Sequence, residues 1–384
     1  MKSHPSNVLI NKDSIPIKVD PSRHPSKDLY VIGITGTNGK TSVAYLIGEV
    51  LKSAGYKPFV LDTMNLGNKD LSTTESVDIV KSMRDHLEQG GTHFIMEVTA
   101  EEIDQARISN IDFNIKLLTN ITQDHLYYHK TFETYQQTKL GFMREGTAHT
   151  IYPQQFKKEP IYFTTKLLGH FNLLNIKAAT NILRHINISE SIIQKTLSSC
   201  SSPRGCLEIV DAGQAFMVVV DYAHTPDGLE NVLKTLKTIA RNQQGQLLVL
   251  FGCDGNRDPG RCAKMGKIAS DTADFLVITE DNPRMEDSQH IMAEIKSGIG
   301  PNFHNYVMVQ NRTKAIEFII NHAQDNDVVL LAGKGHETYQ IFKSETLHFD
   351  DREVAKAAIL NGLKSSVEPF LPELCKTAIG TSNV

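Results

Sequence analysis

Hydrophobic positions in this chain fall into short runs separated by longer amphipathic stretches. Residues 29–34 (L-Y-V-I-G-I) are dense in branched and aromatic side chains and too few for a buried helix, so they predict a buried strand. A Gly-rich turn follows. Then comes S-V-A-Y-L-I-G-E-V-L-K-S-A-G (42–55), whose apolar residues recur at helical spacing and which closes on Gly55. P-F-V-L-D (58–62), H-F-I-M-E-V (93–98) and N-I-K-L-L-T-N (114–120) predict further strands, with helical segments between them. Apolar strands alternating with helices predict a parallel sheet covered on both faces.

The alternation restarts near residue 207. F-M-V-V-V-D-Y (216–222), L-L-V-L-F-G (247–252), F-L-V-I-T (275–279) and V-V-L-L-A-G (328–333) predict a second set of strands. The small, polar, Pro- and Gly-containing stretch S-S-C-S-S-P-R-G (198–205) marks the boundary between the two sets. The expected organisation is a polar arm over 1–27, carrying Pro5, Pro16, Pro21 and Pro25, a central domain over 28–203, and a C-terminal domain over 204–384. Both domains are expected to be α/β, and the last residues to form a loose tail.

Composition narrows the class of function. The chain has 384 residues, 40% hydrophobic and 22% charged, which suits two or three globular domains. A net charge of −4 gives no bulk attraction to nucleic acid or anionic membrane. No run approaches the ~18 consecutive apolar residues of a membrane helix, and the first residues do not read as a signal peptide. The five cysteines form no C-x-x-C pair and are odd in number, so reduced thiols and a cytoplasmic setting are expected.

The first specific chemistry lies between the first strand and the first helix, in T-G-T-N-G-K-T (35–41). Gly36 and Gly39 let the backbone bend and aim N–H groups, with those of Thr37 and Asn38, at an anion. The helix N-terminus adds its positive end. Lys40 can reach the outer phosphates of a nucleotide, and Thr41 can hold Mg²⁺. Ile34 stands where the usual phosphate-loop pattern has its first glycine. The loop implies ATP or GTP and phosphoryl chemistry.

T-G-T-N-G-K-T is also the form this loop takes in Mur ligases, and the resemblance continues along the chain. M-E-V-T (96–99), T-N-I-T-Q-D-H-L-Y-Y-H (119–129), Y-Q-Q-T-K (135–139), G-H-F-N-L-L-N (169–175) and V-V-V-D-Y-A-H-T-P-D-G-L (218–229) are similar to family motifs in the family's order. F-G-C-D-G-N-R-D-P-G (251–260), D-N-P-R (281–284), G-K-G-H-E (333–337) and D-D-R-E (350–353) resemble the branch that adds the third peptide residue in murein synthesis, in its meso-diaminopimelate form. The resemblance spans roughly residues 21–365. It implies a P-loop central domain with a mostly parallel sheet and a Rossmann-like C-terminal α/β domain. It also implies an ATP- and Mg²⁺-dependent ligase that joins a carboxylate, activated as an acyl phosphate, to an amino acid.

Residue roles follow from the resemblance. Thr41 and Glu97 would carry one Mg²⁺; His125 and a Lys139 carbamylated by CO₂ would carry a second. Lys40 would stabilise the phosphate in transfer. Asn172, Asn175, Arg204, Asp221 and His224 would hold ATP. Thr73, Thr74, Thr99 and Arg107 would contact the acyl donor, and Arg257, Asp281, Asn282, Arg284, Gly333 and Glu337 the incoming amino acid. Arginines suit its carboxylates, and Glu337 its ammonium group.

Four departures bear on the donor. The family's N-terminal domain, which grips the UDP of the substrate, has no counterpart before the phosphate loop. The segment between Lys139 and Gly169 is short, and the family's serine–serine–histidine after the metal glutamate is Thr99-Ala100-Glu101. The junction motif is altered to P-R-G-C-L-E (203–208), with Arg204 in a shifted frame. The expected donor is therefore an amino acid, peptide or intermediate smaller than a UDP-muramoyl peptide. The alternatives are the full murein donor gripped with help from a partner chain, or a catalytically silent nucleotide-dependent binding protein.

Overall fold

The computed structural model describes residues 23–62, 76–124, 126–256 and 260–364. The chain divides into two compact units, the second formed mainly from Ser202 onward.

The first unit opens with β1 (Tyr30–Thr35), α1 (Lys40–Ser53), β2 (Pro58–Leu61), α2 (Ser76–Glu88), β3 (His93–Val98) and α3 (Ala100–Asp104). It continues with β4 (Ile115–Leu118), α4 (Leu126–His129), α5 (Phe132–Arg144), β5 (His149–Ile151), α6 (Pro153–Phe156), α7 (His170–His185) and α8 (Glu190–Ser199). The five strands form a parallel sheet in the order β2-β3-β1-β4-β5. Successive side chains of a strand face opposite ways. Ile32 and Ile34 therefore pack with the inner faces of α1, α7 and α8, while Val31 packs with Ile79 and Met83 of α2 and Phe142 and Met143 of α5. Both faces are covered, which is why these strands read as continuous apolar runs. His24–Lys27, placed in the arm by the sequence, are folded. Pro25–Lys27 form a 3₁₀ turn, and the buried Ser26 hydroxyl accepts from the Asp112 N–H at 3.0 Å.

The second unit holds β6 (Glu208–Val210), β7 (Met217–Asp221), α9 (Pro226–Asn242), β8 (Leu247–Phe251), α10 (Arg261–Thr272), β9 (Phe275–Ile278) and α11 (Ser288–Ser297). Then come β10 (Tyr306–Met308), α12 (Arg312–His322), β11 (Val328–Ala332), β12 (Tyr339–Ile341), β13 (Thr346–His348) and α13 (Asp351–Lys364). Its sheet runs β10-β9-β8-β11-β7-β6, parallel except for the antiparallel edge strand β6. Val218, Val220, Leu248 and Leu250 pack against α12 and α13 on one face. Helix α9 begins at the Thr225 cap followed by Pro226, and packs against β8 and β11. β12 and β13 form a separate antiparallel hairpin. No helix among the described residues is long and apolar enough to cross a membrane.

In each sheet the candidate residues lie at or beyond the carboxyl ends of parallel strands, Thr35 and Glu97 in the first and Asp221, Asp281 and Gly333 in the second. In the first sheet the order reverses between β1 and β4, the position at which open α/β sheets bind ligands.

Candidate functional site

The loop from Gly36 to Gly39 is built against the segment that follows β4. The Thr37 N–H donates to the Asn120 carbonyl at 3.0 Å, and the Asn38 N–H to Asn120 Oδ1 at 3.0 Å. In return, Asn120 Nδ2 and Thr119 Oγ1 donate to the Asn38 carbonyl at 2.9 and 2.7 Å. Thr37 Oγ1 donates to the Thr122 carbonyl at 3.2 Å and accepts from the Thr122 N–H at 3.0 Å. The contact is so close that a Cβ on Gly36 would meet Thr119 Oγ1 at 1.9 Å. Gly39, at φ +86°, opens α1 and leaves the same kind of space to Asn175 of α7. Asn175 Nδ2 donates to Asn172 Oδ1 at 3.1 Å, both side chains buried. Lys40 folds back over the loop, its Nζ donating to the carbonyls of Gly36 and Thr37 at 3.1 and 3.0 Å. Thr41 is the second residue of α1.

Glu97 lies one strand away. It pairs in register with Ile34 and is 2% exposed. Lys139 of α5 is equally buried. Its Nζ donates to Thr35 Oγ1 at 3.3 Å and stands 4.9 Å from the centroid of the Tyr135 ring, whose hydroxyl lies 3.1 Å from Thr37 Oγ1. Tyr135 thus touches both the phosphate loop and the lysine expected to be carbamylated. Thr99 is the cap of α3. Its hydroxyl accepts from the Glu102 N–H at 3.2 Å, while its own N–H and hydroxyl donate to Glu102 Oε2 at 2.7 and 2.9 Å. Burial pushes the Glu102 carboxyl up to about 7, against the pull of those hydrogen bonds. Arg107 lies in the turn after α3, its carbonyl accepting from Ser76 Oγ at 2.7 Å. Thr73, Thr74, His125 and Arg257 lie outside the described residues.

The donor set fits a magnesium nucleotide. Among the described residues no three His, Cys, Asp or Glu side chains form a metal cage. Mg²⁺ in nucleotide sites uses one or two protein oxygens, completed by phosphate and water. Glu97 and Thr41 offer hard oxygens of that kind, and Gly36 and Gly39 let the loop close against Thr119 and Asn175, where any side chain would clash.

The second unit carries its own cluster. Lys334, fully buried, donates to Asp281 Oδ1 at 3.1 Å, Asn282 Oδ1 at 3.0 Å and Glu337 Oε2 at 3.1 Å. Asn282 Nδ2 donates to the same Glu337 oxygen at 3.0 Å. Burial pushes the Glu337 carboxyl up to about 7, with Lys334 opposing and Asp254 and Asp281 adding to the shift. Gly333, at φ +110°, lies against Asp281, since a Cβ there would meet Oδ2 at 2.3 Å. Arg284 adopts φ +57° and points Nη2 at Asp254 Oδ2, 3.6 Å away. The β12 hairpin is tied to this loop. The Arg284 N–H donates to the Ile341 carbonyl at 3.1 Å, the Ile341 N–H to Asn282 Oδ1 at 3.0 Å, and Gln340 Nε2 to the Asp281 carbonyl at 2.8 Å.

At the carboxyl end of β7, Asp221 accepts from the N–H groups of Leu207 and Ala223, both at 2.7 Å, while burial pushes its carboxyl up to about 7. His224 Nδ1 lies 2.7 Å from the Tyr222 carbonyl. Arg204 reaches Asp350 Oδ2 at 3.3 Å, and Arg352 binds the same carboxylate. The structure thus groups Gly36–Thr41, Asn172, Asn175, Glu97 and Lys139 in the first unit. In the second it groups Asp281, Asn282, Arg284, Gly333 and Glu337, with Arg204, Asp221 and His224 around the start of the unit.

The sequence matches known proteins over both units. Residues 34–152 match the Mur ligase middle domain, and residues 205–335 match the Mur ligase glutamate ligase domain. The UDP-N-acetylmuramoyl-L-alanyl-D-glutamate–2,6-diaminopimelate ligase of Bacillus licheniformis is 37% identical, over 88% of this chain and 80% of the relative. The chain belongs to the Mur ligase family. A protein of the same name from Clostridium tetani is 35% identical over 92% of this chain and 84% of its own. A solved structure of a ligase of that name aligns with TM-score 0.54 and 29% identity, covering 87% of this chain and 78% of the other. A pseudomurein peptide ligase type C from Methanothermus fervidus shares the fold, with TM-score 0.61 and 16% identity over 87% and 79% of the two chains.

Several residues that organise these Mur ligase clusters carry no role in the sequence reading. Thr119, Asn120 and Thr122 hold the phosphate loop, and their signal was membership of the T-N-I-T-Q-D-H string. Lys334 sits inside G-K-G-H-E, between residues that were singled out. Arg312 had no signal at all. It opens α12 and is fully buried, with its guanidinium bidentate on Asp351 at 2.8 and 2.7 Å.

Proposed function

We propose that this chain uses ATP and Mg²⁺ to join a carboxylate to an amino acid of the diaminopimelate type, through an acyl phosphate. The observation that carries the reading is the pairing, within one Mur ligase, of a phosphate loop crossed by Lys40 with a second-unit cluster that presents both carboxylates and an arginine. In the first step a donor carboxylate oxygen attacks the γ-phosphorus, the bond to the β–γ bridging oxygen breaks, and ADP leaves. In the second, the acceptor amine attacks the acyl carbon, phosphate leaves, and the amine gives up its proton. The N–H groups at the start of α1 and Lys40 would stabilise the charge on the phosphate in transfer, since those of Thr37 and Asn38, expected to face the anion, donate to Asn120 instead. Thr41 and Glu97 would hold one Mg²⁺, and His125 with a carbamylated Lys139 a second, screening the repulsion between carboxylate and triphosphate. Asn172, Asn175, Arg204, Asp221 and His224 are the proposed nucleotide contacts. Asp281, Asn282, Arg284, Gly333 and Glu337, with Arg257, form the proposed acceptor pocket, in which Arg284 takes a carboxylate and Glu337 an ammonium.

The proposed donor is smaller than a UDP-muramoyl peptide. The support lies inside the chain: Thr99 is engaged in a helix cap, and only the short β5 and α6 lie between α5 and Gly169. The test is ATP-dependent phosphate release with product mass spectrometry. Acceptors are varied against UDP-muramoyl dipeptide, the free L-Ala-γ-D-Glu dipeptide and single amino acids. Amide formation from an unlinked donor supports the reading. Turnover confined to the UDP-linked donor overturns the donor size and favours the murein substrate, alone or with a partner chain. Phosphate release with no acceptor dependence overturns the ligase reading.

A further inference from the structure

The Lys334 ammonium has three hydrogens, and each has an acceptor: Asp281, Asn282 and Glu337, all at 3.0–3.1 Å. With no solvent exposure and no hydrogen to spare, it is neither a surface charge nor a group that can bind substrate directly. Its effect falls on its neighbours. Asn282 Oδ1 accepts from both Lys334 and the Ile341 N–H, which turns its Nδ2 toward Glu337. Glu337 Oε2 accepts from Lys334 and from Asn282, while its Oε1 makes no hydrogen bond among the described residues. Among the described residues, Asp254, Asp281 and Glu337 lie about Lys334 and Arg284, and the buried Arg312 also acts on Asp281 and Glu337.

We propose that Lys334 is the positioning residue of the acceptor pocket, and that its hydrogen bonds fix Asn282 and Glu337 so that Glu337 Oε1 receives the distal ammonium of a diamino acid. This rests on the acceptor reading above. The reacting amine must be neutral to attack, so the ammonium held here is the other one. Without Lys334, Glu337 would be buried beside Asp254 and Asp281 with no cation bonded to it, and would bind an ammonium poorly.

The experiment uses the full chain and its variants Lys334→Met, Lys334→Gln, Glu337→Gln and Lys334→Met/Glu337→Gln. Phosphate release is measured with 2,6-diaminopimelate and with 2-aminopimelate, which lacks the distal amine. Lys334→Met is expected to raise the KM for 2,6-diaminopimelate roughly tenfold or more, with the ATP KM unchanged within about twofold. It should also erase the preference over 2-aminopimelate. The double variant should be no worse than Glu337→Gln alone, because both changes remove one interaction. Lys334→Gln keeps a donor in the cluster without the charge, and gives the same readouts if Lys334→Met does not fold. An unchanged acceptor KM beside a lowered melting temperature, or penalties that multiply in the double variant, overturns the proposal and leaves Lys334 a fold element. If the wild type releases phosphate with no acceptor, the ligase reading fails separately. Calorimetric binding of 2,6-diaminopimelate to the wild type and Lys334→Gln then decides the role of Lys334: weaker binding by the variant supports it, and equal or absent binding overturns it.

Discussion

Gly39 and Asn175 meet with no space for a methyl group between them: a Cβ on Gly39 would stand 2.4 Å from Asn175 Oδ1. The φ of +86° at Gly39 adds a backbone cost of about 1–2 kcal/mol for any L side chain. Gly39→Ala is expected to lower kcat/KM for ATP about a hundredfold, since the loop and the Asn175 amide cannot both keep their places. Combining it with Asn175→Ala should remove the clash and leave the backbone strain. Steady-state kinetics check the first expectation and urea melts on the single and double variants the second, and a double variant no more stable than Gly39→Ala would show that the contact is not what excludes the methyl.

Arg284 holds an uncommon backbone conformation and keeps its side chain partly exposed at 29%. If it grips an acceptor carboxylate with its planar fork, lysine cannot replace it. Arg284→Lys is expected to raise the acceptor KM by about tenfold or more, leaving the ATP KM unchanged. A lysine variant with wild-type acceptor KM would mean that Arg284 serves only Asp254.

The buried pair Arg312–Asp351 ties the start of α12 to the start of α13 in the second unit. Burial works against the Arg312 charge, and Asp351 more than offsets it. Arg312→Met leaves Asp351 buried without its partner and should cost about 3–5 kcal/mol in urea unfolding. Replacing both members with apolar residues should recover most of that loss. A single variant within about 1 kcal/mol of wild type would show that water or a rearranged neighbour relieves Asp351.

Two histidines make stability depend on acid. Burial holds His93 in the first unit and His336 in the second down to about 4, from an ordinary 6.5. Between those values the unfolded chain binds protons that the folded chain refuses. The histidine contribution to stability is therefore full above pH 6.5 and is lost as the pH drops toward 4, while the carboxyls of Glu102, Asp221 and Glu337, held up near 7, contribute in the opposite sense over the same range. The loss is on the order of 2–3 kcal/mol per histidine. Urea melts from pH 4 to pH 8 on the wild type and His336→Gln isolate the His336 part: on acidification the wild type should lose more stability than the variant by that amount. An unaltered slope in that variant would assign the dependence elsewhere.

The strands of both sheet centres were legible because each is buried on two faces and so reads as an unbroken apolar run, as in V-V-L-L-A. The short edge strands β5, β6 and β10 were not. Each has three residues, and His149 and Glu208 give β5 and β6 polar residues with no period to read. Within the candidate sites, glycines and the residues beside them were visible, since a tight backbone approach leaves a signature in sequence. Lys334 and Arg312 show the limit. A cation in a helix or loop reads as solvated, and only the carboxylates that the fold brings from residues 281, 337 and 351 make it a core residue.

The hydrogen bonds between β12 and the loop after β9 make the hairpin a clasp on the Asp281–Arg284 segment rather than an ornament at its edge. Arg284 and Ile341 are joined through their backbones, and Asn282 closes the same knot through its side chain. Segments linked in this way open as one unit. The amide hydrogens at positions 284 and 341 should therefore exchange with solvent at a common rate, and that rate gives a clock for the pocket that can be read without any turnover.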